Sequence, residues 1–344
     1  MAGAAAGGAE LFYERLVPAL AASGDEVLPV IRRNPGRAAR LREQGVRPLE
    51  VAFGGRLDVV TGWRVGRALR RFSPRVAVAW MGRAARHTPV GDWVLVGRLG
   101  GTYAMAQFAH CDHLVGNTPG MVAWIRAQGF AADRVHLLPN FVAEMRGAAP
   151  ASLPVPAGAP VVLALGRLHT AKGFDVLLAA LTRLPGVHAV IAGDGPERAA
   201  LLALAAKAGV ADRAHFLGWR ADTAALLAAC DVVVCPSRHE PLGNVMLEAF
   251  SAGRPVVAAM ADGPLWLMGD GSRGVLVPVD SGVALAAGIE GMLQNRDMAR
   301  RMAANGRAYY EAHFTQAAVV AAWRHFCATV EKAAPAEGGL GEEG

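Results

Sequence analysis

Residues 161–197 read VVLALGRLHTAKGFDVLLAALTRLPGVHAVIAGDGPE, and this stretch decides the fold. Val161–Leu165 is an unbroken apolar run that stops at Gly166, as a strand buried on both faces requires. Helical spacing follows over Gly173–Leu184, and a second apolar run, Val187–Ala192, stops at Gly193. Strand, helix and strand in this order make a βαβ unit, whose strands lie parallel with helices over the sheet.

The alternation continues downstream. Ala214–Leu217, Val232–Cys235, Pro255–Ala258 and Val275–Val277 are further apolar runs, while Glu197–Ala208, Thr223–Ala229, Leu242–Ala252 and Gly282–Asn295 have helical character. Upstream the theme is fainter: helix Glu10–Ala22, strand Glu26–Ile31, helix Ala38–Gln44, strands Val76–Trp80, Val94–Val96 and Leu114–Gly116, then helix Pro119–Gln128. Residues 147–160 hold four prolines and no charge, the composition of a linker. The expected fold is therefore α/β, two Rossmann-like domains facing across a cleft, with ligands beyond the carboxyl ends of the strands. Residues 1–146 are read as the N-terminal domain, 147–160 as the linker and 161–306 as the C-terminal domain. Residues 307–332 are read as C-terminal helices crossing back to the N-terminal domain, and 333–344 as a disordered tail.

The 344 residues leave room for two such domains. At 53% hydrophobic and 19% charged residues the chain is far from the disordered regime. Mean hydropathy is +0.27, yet no charge-free apolar run of membrane-spanning length occurs. Met1 to Gly8 lacks a basic leader and is not read as a signal peptide. The expected location is the cytoplasm, including the inner face of its membrane. Cys111, Cys230, Cys235 and Cys327 have no CxxC spacing and read as small buried hydrophobes. Net charge is +6, unevenly spread: residues 1–150 hold nineteen arginines, no lysine and eleven acids, whereas residues 151–344 hold sixteen bases and eighteen acids. A basic N-terminal half suits anionic lipid headgroups, phosphorylated acceptors or nucleic acid, and the absence of a recognition motif disfavours the last.

Three elements carry chemistry. Gly166, Arg167 and Leu168, followed by Lys172 and Gly173, sit where a strand ends and a helix begins; they suit a diphosphate, or form a basic loop that caps the helix. The turn Gly193-Asp194-Gly195-Pro196-Glu197 either admits a ligand close to the backbone or is a tight βα turn. Glu240 to Gly253 (EPLGNVMLEAFSAG) reads as one helix of about three turns, with Glu240 before it and Glu248 within it. The amides of Leu242, Gly243 and Asn244 at its start meet a phosphate, and the two carboxylates lie roughly 12 Å apart if the helix covers the interval.

Taken together these elements resemble the retaining, GT-B-fold glycosyltransferases of family 4 (glycosyl transferases group 1), in the order Gly-Arg-Leu-x3-Lys-Gly, Gly-Asp-Gly-Pro-Glu and Glu-x7-Glu. The resemblance implies a donor-binding C-terminal domain and an acceptor-binding N-terminal one. By that likeness Arg167 and Lys172 contact the donor diphosphate, and Glu240 holds the hydroxyls of the transferred hexose. Leu242, Gly243 and Asn244 give backbone contacts, Glu248 binds the ribose, and Gly166, Gly193, Asp194 and Leu217 flank the nucleotide. Gly7 and Gly8, before the first helix, look like the glycine loop near the donor phosphate and acceptor. The strand expected ahead of them is missing from residues 1–6, so the N-terminal sheet is expected to lack its first strand and to leave an open edge.

The resemblance also implies metal-independent transfer with retention, by front-face attack without a protein nucleophile. No Asp-x-Asp occurs in the chain, so a GT-A-type metal clamp has no evident ligands. No cofactor is expected beyond the nucleotide sugar, which is a substrate, and the acceptor is expected to be lipopolysaccharide or a lipid-linked saccharide. Arg98 stands where some relatives carry a histidine; it either faces the acceptor or its phosphate, or caps the sheet. Trp266 stands where many relatives carry glutamate. His110, Cys111, Asp112 and His113 read as structural rather than as a metal cluster. Arg64, Arg67, Arg70 and Arg71 fall at helical spacing, on a solvated face or one that meets anionic lipid or a phosphorylated acceptor. Competing readings of the whole chain are a sugar-nucleotide 2-epimerase of the same fold and a non-catalytic nucleotide-sugar binding module.

Overall fold

The computed structural model describes residues 1–3, 8–55 and 58–332, so Gly7 and the 333–344 tail lie outside the described residues. The chain divides into two compact units, Met1–Pro139 with the chain from Val320 onward, and Asn140–Val319.

The first unit runs α1 (Gly8–Ala22), β1 (Val30–Arg32), α2 (Pro35–Glu43), β2 (Leu49–Val51), α3 (Val59–Phe72), β3 (Val76–Trp80), α4 (Met81–His87), β4 (Val94–Arg98), β5 (His113–Gly116), α5 (Pro119–Ala127) and β6 (Val135–Leu137). Its strands are parallel and form two sheets, β1-β2 and β3-β4-β5-β6. Among the described residues no strand precedes α1, but Met1 bonds to β1: its amino group donates to Val30 O at 2.6 Å, and Arg32 N donates to Met1 O at 2.9 Å. The helices are capped as their sequences indicate, with Asn34 accepting from Arg37 N and Asp58 from Thr61 N.

The second unit runs β7 (Val161–Leu165), α6 (Phe174–Leu181), β8 (His188–Ala192), α7 (Arg198–Lys207), β9 (Ala214–Gly218), α8 (Thr223–Ala228), β10 (Val232–Cys235), α9 (Asn244–Ser251), β11 (Val256–Ala259), α10 (Asp262–Met268), β12 (Val275–Val277), α11 (Gly282–Gln294) and α12 (Arg296–His313). The six strands form one parallel sheet in the order β12-β11-β10-β7-β8-β9, the doubly wound arrangement with its switch point between β7 and β10. Alternate residues feed separate cores: Val162, Ala164, Val232 and Val234 pack on one face, Val161, Leu163, Val233 and Cys235 on the other. Double-sided burial is the physical reason the strands read as continuous apolar runs.

The boundary between units corrects the reading of 147–160 as a linker. The division falls at Asn140, and the proline-rich stretch belongs to the second unit, where Ala151 N donates to Ala225 O and Leu153 and Val155 pack on the core. Just before it, Ser251 Oγ donates to Ala143 O, and Glu144 accepts from both terminal guanidinium nitrogens of Arg307 at 2.6 and 2.8 Å. Those bonds also keep α12 in the second unit. The return to the first is made within α13 (Gln316–Thr329), at Val319, rather than from residue 307.

Candidate active site

In the second unit the strands β7, β8 and β9 end together on glycines. Gly166, Gly193 and Gly218 have φ of +145°, +153° and +72°, values that a side chain strains. Gly193 approaches so closely that a Cβ on it would lie 1.8 Å from Gly166 O. Gly166 N donates to Ala192 O, Leu168 N to Asp194 O and Gly193 N to Gly218 O, at 2.8–3.1 Å. The strand ends are thus closed backbone to backbone. Arg167 stands exposed at their rim and makes no hydrogen bond or ion pair with the described residues.

Lys172 closes a short turn, Thr170–Lys172, that stops on Gly173 at φ +65°. A Cβ there would meet Pro236 O at 2.1 Å, so glycine lets this turn press on the loop after β10. Arg238 N and His239 N both donate to Ala171 O, at 2.9 and 3.2 Å. The Arg238 guanidinium grips Asp175 through two bonds of 2.8 and 2.6 Å and reaches Thr170 O and Asp280. These bonds hold the Asp175 carboxyl below its usual range against the opposing effect of burial. The clamp brings two sequence-predicted residues together: Lys172 Nζ lies 2.5 Å from Glu240 Oε2, which Ser237 Oγ also approaches at 3.3 Å. Glu240 is buried and Lys172 partly so.

The helix after Glu240 is shorter than its sequence suggests. α9 begins at Asn244, behind Gly243 at φ +88°, and covers eight residues. Residues 240–243 form a loop because Gly263 N donates to Glu240 O at 2.8 Å and Leu242 turns into the core; a Cβ on Gly263 would lie 2.5 Å from Leu242 O. The separation of Glu240 and Glu248 is therefore set by a loop plus one helical turn, not by a single helix. The first amides of α9 have no preceding carbonyl within the helix, which makes its start an anion site in principle. Asn244 Oδ1 is buried there without a hydrogen-bond partner among the described residues. Glu248 lies one turn on and is half-buried.

The remaining candidates fall less centrally. Asp194 is exposed and accepts from Gly195 N at 2.8 Å, a bond within its own turn. Leu217 is half-buried beside Trp219, which is 76% exposed. Trp266 packs on Phe314 at 5.7 Å between ring centres. In the first unit Gly8 is exposed at the start of α1, and Gly7 lies outside the described residues. Arg98 is fully buried at the end of β4, its guanidinium 4.5 Å from the Trp80 ring centre and 5.2 Å from that of Phe12. Burial pushes it down to about 10. The interior location fits the capping alternative.

His110, Cys111, Asp112 and His113 do not converge. His110 bonds Ala85 O, Asp112 accepts from Leu95 N, His113 pairs with His136, and Cys111 is buried with its thiol pushed up to about 12. Among the described residues no three His, Cys, Asp or Glu side chains group to hold a metal ion.

The glycine-closed strand ends, cationic turn and helix start invite comparison with known proteins. The family model for glycosyl transferases group 1 matches residues 146–309. The lipopolysaccharide core biosynthesis glycosyltransferase LpsE of Rhizobium meliloti (strain 1021) is 37% identical over 336 residues, covering 94% of this chain and 96% of its own. The chain is a group 1 glycosyl transferase. A second glycosyltransferase of that organism, LpsD, shares 36% identity with the transferase over 326 residues, 92% of this chain and 94% of its own. The crystal structure of Anabaena HepE in complex with UDP superimposes with a TM-score of 0.83 at 22% identity, over 96% of the transferase and 98% of HepE. The fold is the parallel α/β fold of GT-B glycosyltransferases. The family match spans every donor-side candidate of the transferase from Gly166 to Glu248. Ser237, Arg238 and Asp175, which position Lys172 against Glu240, escape the sequence reading; for Ser237 and Arg238 the available signal was their position just past the carboxyl end of β10.

Proposed function

We propose that this transferase moves a hexose from a nucleotide diphosphate sugar to a lipopolysaccharide core or lipid-linked saccharide, with retention of configuration. The observation that carries the reading is the Lys172–Glu240 pair, 2.5 Å apart beside the start of α9. In the proposed complex Glu240 accepts hydrogen bonds from hexose hydroxyls. Lys172, Arg167 and the amides of Leu242, Gly243 and Asn244 meet the diphosphate, while Glu248 takes the ribose, with Gly166, Gly193, Asp194 and Leu217 along the nucleotide. As the bond from the anomeric carbon to the phosphate oxygen breaks, the acceptor oxygen attacks the same face, and its proton passes to the departing phosphate. The cations and amides stabilise the charge that develops there, a contribution of several kcal/mol where water is excluded. Asn244 Oδ1, buried without a partner among the described residues, is an acceptor for a donor hydroxyl. The LpsE and LpsD relationships, over nearly the whole chain, support the lipopolysaccharide-core acceptor.

The test is transfer assayed with a panel of nucleotide sugars, with and without a core saccharide acceptor and with a chelator. Acceptor-dependent product, unchanged by the chelator and with the donor's anomeric configuration, is expected. Turnover of donor alone would show an epimerase, and a chelator-sensitive rate or inverted product would refute the corresponding part of the proposal.

The same reading extends to the membrane. No helix among the described residues is long and apolar enough to cross one, but α3 displays Val59, Val60 and Trp63 at 60–77% exposure, with the Arg67 guanidinium over the Trp63 ring. An exposed apolar stripe flanked by arginines suits peripheral contact with anionic lipid, where a lipid-linked acceptor resides.

A further inference from the structure

The proposed donor crosses the sheet of the second unit in strand order. Gly193 and Leu217, at the ends of β8 and β9, flank the nucleotide; Lys172, behind β7, meets the diphosphate; and Glu240, behind β10, takes the hexose. β11 comes next, paired with β10 on the side away from β7. At about 4.8 Å per strand its carboxyl end stands roughly 10 Å from that of β7, past the hexose rather than under the phosphates.

The segment behind β11 is fixed from two sides. Met260 N donates to Val277 O of β12 at 2.9 Å, and Gly263 N donates to Glu240 O at 2.8 Å. In α10, Leu267 and Met268 enter the core and Trp266 packs on Phe314; a Cβ on Gly243 would lie 3.6 Å from Leu267 Cδ1. Those contacts leave the other side of the segment outward. Asp262 is exposed, and Met260 and Leu265 are 44% and 47% exposed. Three residues apart on a helix, Asp262 and Leu265 stand about 60° from each other, so the carboxylate and the apolar side chain share a face.

The Asp262 carboxylate makes no hydrogen bond or ion pair with the described residues, whereas Glu240, joined to its neighbour Gly263 through the backbone, is matched by Lys172. An unmatched carboxylate repels phosphate and accepts from hydroxyls. Apolar side chains on both sides of it suit the C–H face of a pyranose, whose rim carries hydroxyls. We propose that Asp262, flanked by Met260 and Leu265, is a sugar-selecting residue of the transferase, its carboxylate accepting hydrogen bonds from saccharide hydroxyls on the side of Glu240 away from the diphosphate. This rests on the donor placement proposed for Lys172 and Glu240. Two saccharides carry that chemistry, the transferred hexose and the acceptor, and neither contact involves the nucleotide.

Isothermal titration of the 344-residue chain and of Asp262→Asn tests this, with UDP-, GDP- and ADP-hexoses, the bare nucleoside diphosphates and a lipopolysaccharide core oligosaccharide as ligands. Asn keeps the shape at an exposed position, so Tm should stay within about 2 °C of the parent. Affinity for the nucleotide hexose or for the oligosaccharide is expected to fall about tenfold, while affinity for the bare nucleoside diphosphate is unchanged. A loss confined to the nucleotide hexose assigns Asp262 to the transferred sugar, and one confined to the oligosaccharide assigns it to the acceptor. Leu265→Ser is expected to weaken the same ligand about threefold. Parent affinity for both saccharide ligands in Asp262→Asn would overturn the proposal. So would equal weakening of the bare nucleoside diphosphate, the mark of a purely structural role for an acid in a first helical turn. A parent chain that binds no nucleotide hexose is the separate failure of the donor placement, and the role of Asp262 falls with it.

Discussion

Lys172 reaches Glu240 across 68 residues of sequence because two loops, one after β7 and one after β10, are pinned to each other at Ala171. The ammonium and carboxylate are held by backbone on either side, so little side-chain freedom remains to be lost when a donor arrives. The pair also gives a buried carboxylate a cationic partner, since a lone one in that position would be costly.

Removing either member is expected to impair transfer more than folding. Lys172→Ala and Glu240→Gln should each lower kcat/KM by roughly 100- to 1,000-fold, with Tm within a few degrees of the parent for Glu240→Gln, which retains the shape, and lower for Lys172→Ala, which leaves the buried carboxylate without its cation. The double variant should lose much less than the product of the two, since the residues act as a unit. Steady-state kinetics with a saturating acceptor, together with thermal denaturation, checks both expectations; full activity in Glu240→Gln would remove the carboxylate from the site.

Arg238 is expected to act through Lys172. Arg238→Ala frees the Thr170–Lys172 turn from its clamp on Asp175, and donor affinity should fall about tenfold while kcat changes less, because the turn reorders on binding. Lysine at 238 should recover only part of the loss, as it cannot reproduce the two-pronged contact. Isothermal titration with the donor and separate measurement of kcat distinguish this from general destabilisation.

Much of the second unit was legible in its sequence for a definite reason. β7, β8 and β10 feed two cores, and that leaves no polar position to interrupt the pattern. The start of α9 was not legible: Pro241 has the local chemistry of a first helical turn, but Gly263 takes the carbonyl of Glu240 and the core takes Leu242. Tertiary contacts won over propensity there. Arg238 was missed because its meaning comes from Asp175, distant in sequence. The three-residue strands β2 and β6 are too short for a periodic signal. A cation at a strand's end leaves Arg98 open between an acceptor contact and a cap, and only the rings of Phe12 and Trp80 reveal it as interior.

The Glu144–Arg307 contact sets a pH dependence. Hydrogen bonds from Arg307 hold the Glu144 carboxyl at about 2, well below its ordinary 4.5. A depressed folded-state value means that the contribution to stability is present above about pH 4.5 and is lost as pH falls toward 2. Half-exposure of the Glu144 side chain screens the pair and limits its worth to about 1 kcal/mol. Chemical denaturation at pH 7 and pH 3 should show Glu144→Gln less stable than the parent at the higher pH, with the deficit cut to about half at the lower.

Gly193→Ala tests the closed strand ends. The new methyl would stand 1.8 Å from Gly166 O, with φ at +153°, and both the clash and the strain fall on backbone that cannot rotate away. The expected cost is about 3 kcal/mol, read as a lowered denaturation midpoint, whereas alanine at Gly253, where nothing lies within 4 Å, should cost about 1 kcal/mol from its positive φ alone.

The proposed membrane contact through α3 rests on geometry as much as on charge. At 3.6 residues per turn, Val59, Val60, Trp63, Arg67, Arg70 and Arg71 fall within an arc of about 120°, opposite the buried Val65 and Leu69. From residue 59 to 91 the chain carries seven arginines and no acid, so nothing on this stretch offsets attraction to an anionic surface. At about 1 kcal/mol per arginine near such a surface, Arg67→Ala with Arg71→Ala should weaken binding to phosphatidylglycerol vesicles roughly 30-fold at low salt. Trp63→Ser should weaken it at every salt concentration, because its contribution is apolar and unscreened. Vesicle co-sedimentation across a salt series separates the two effects, and turnover of a water-soluble acceptor should stay at the parent level in both variants. Binding that ignores lipid charge and survives both changes would assign α3 to solvent.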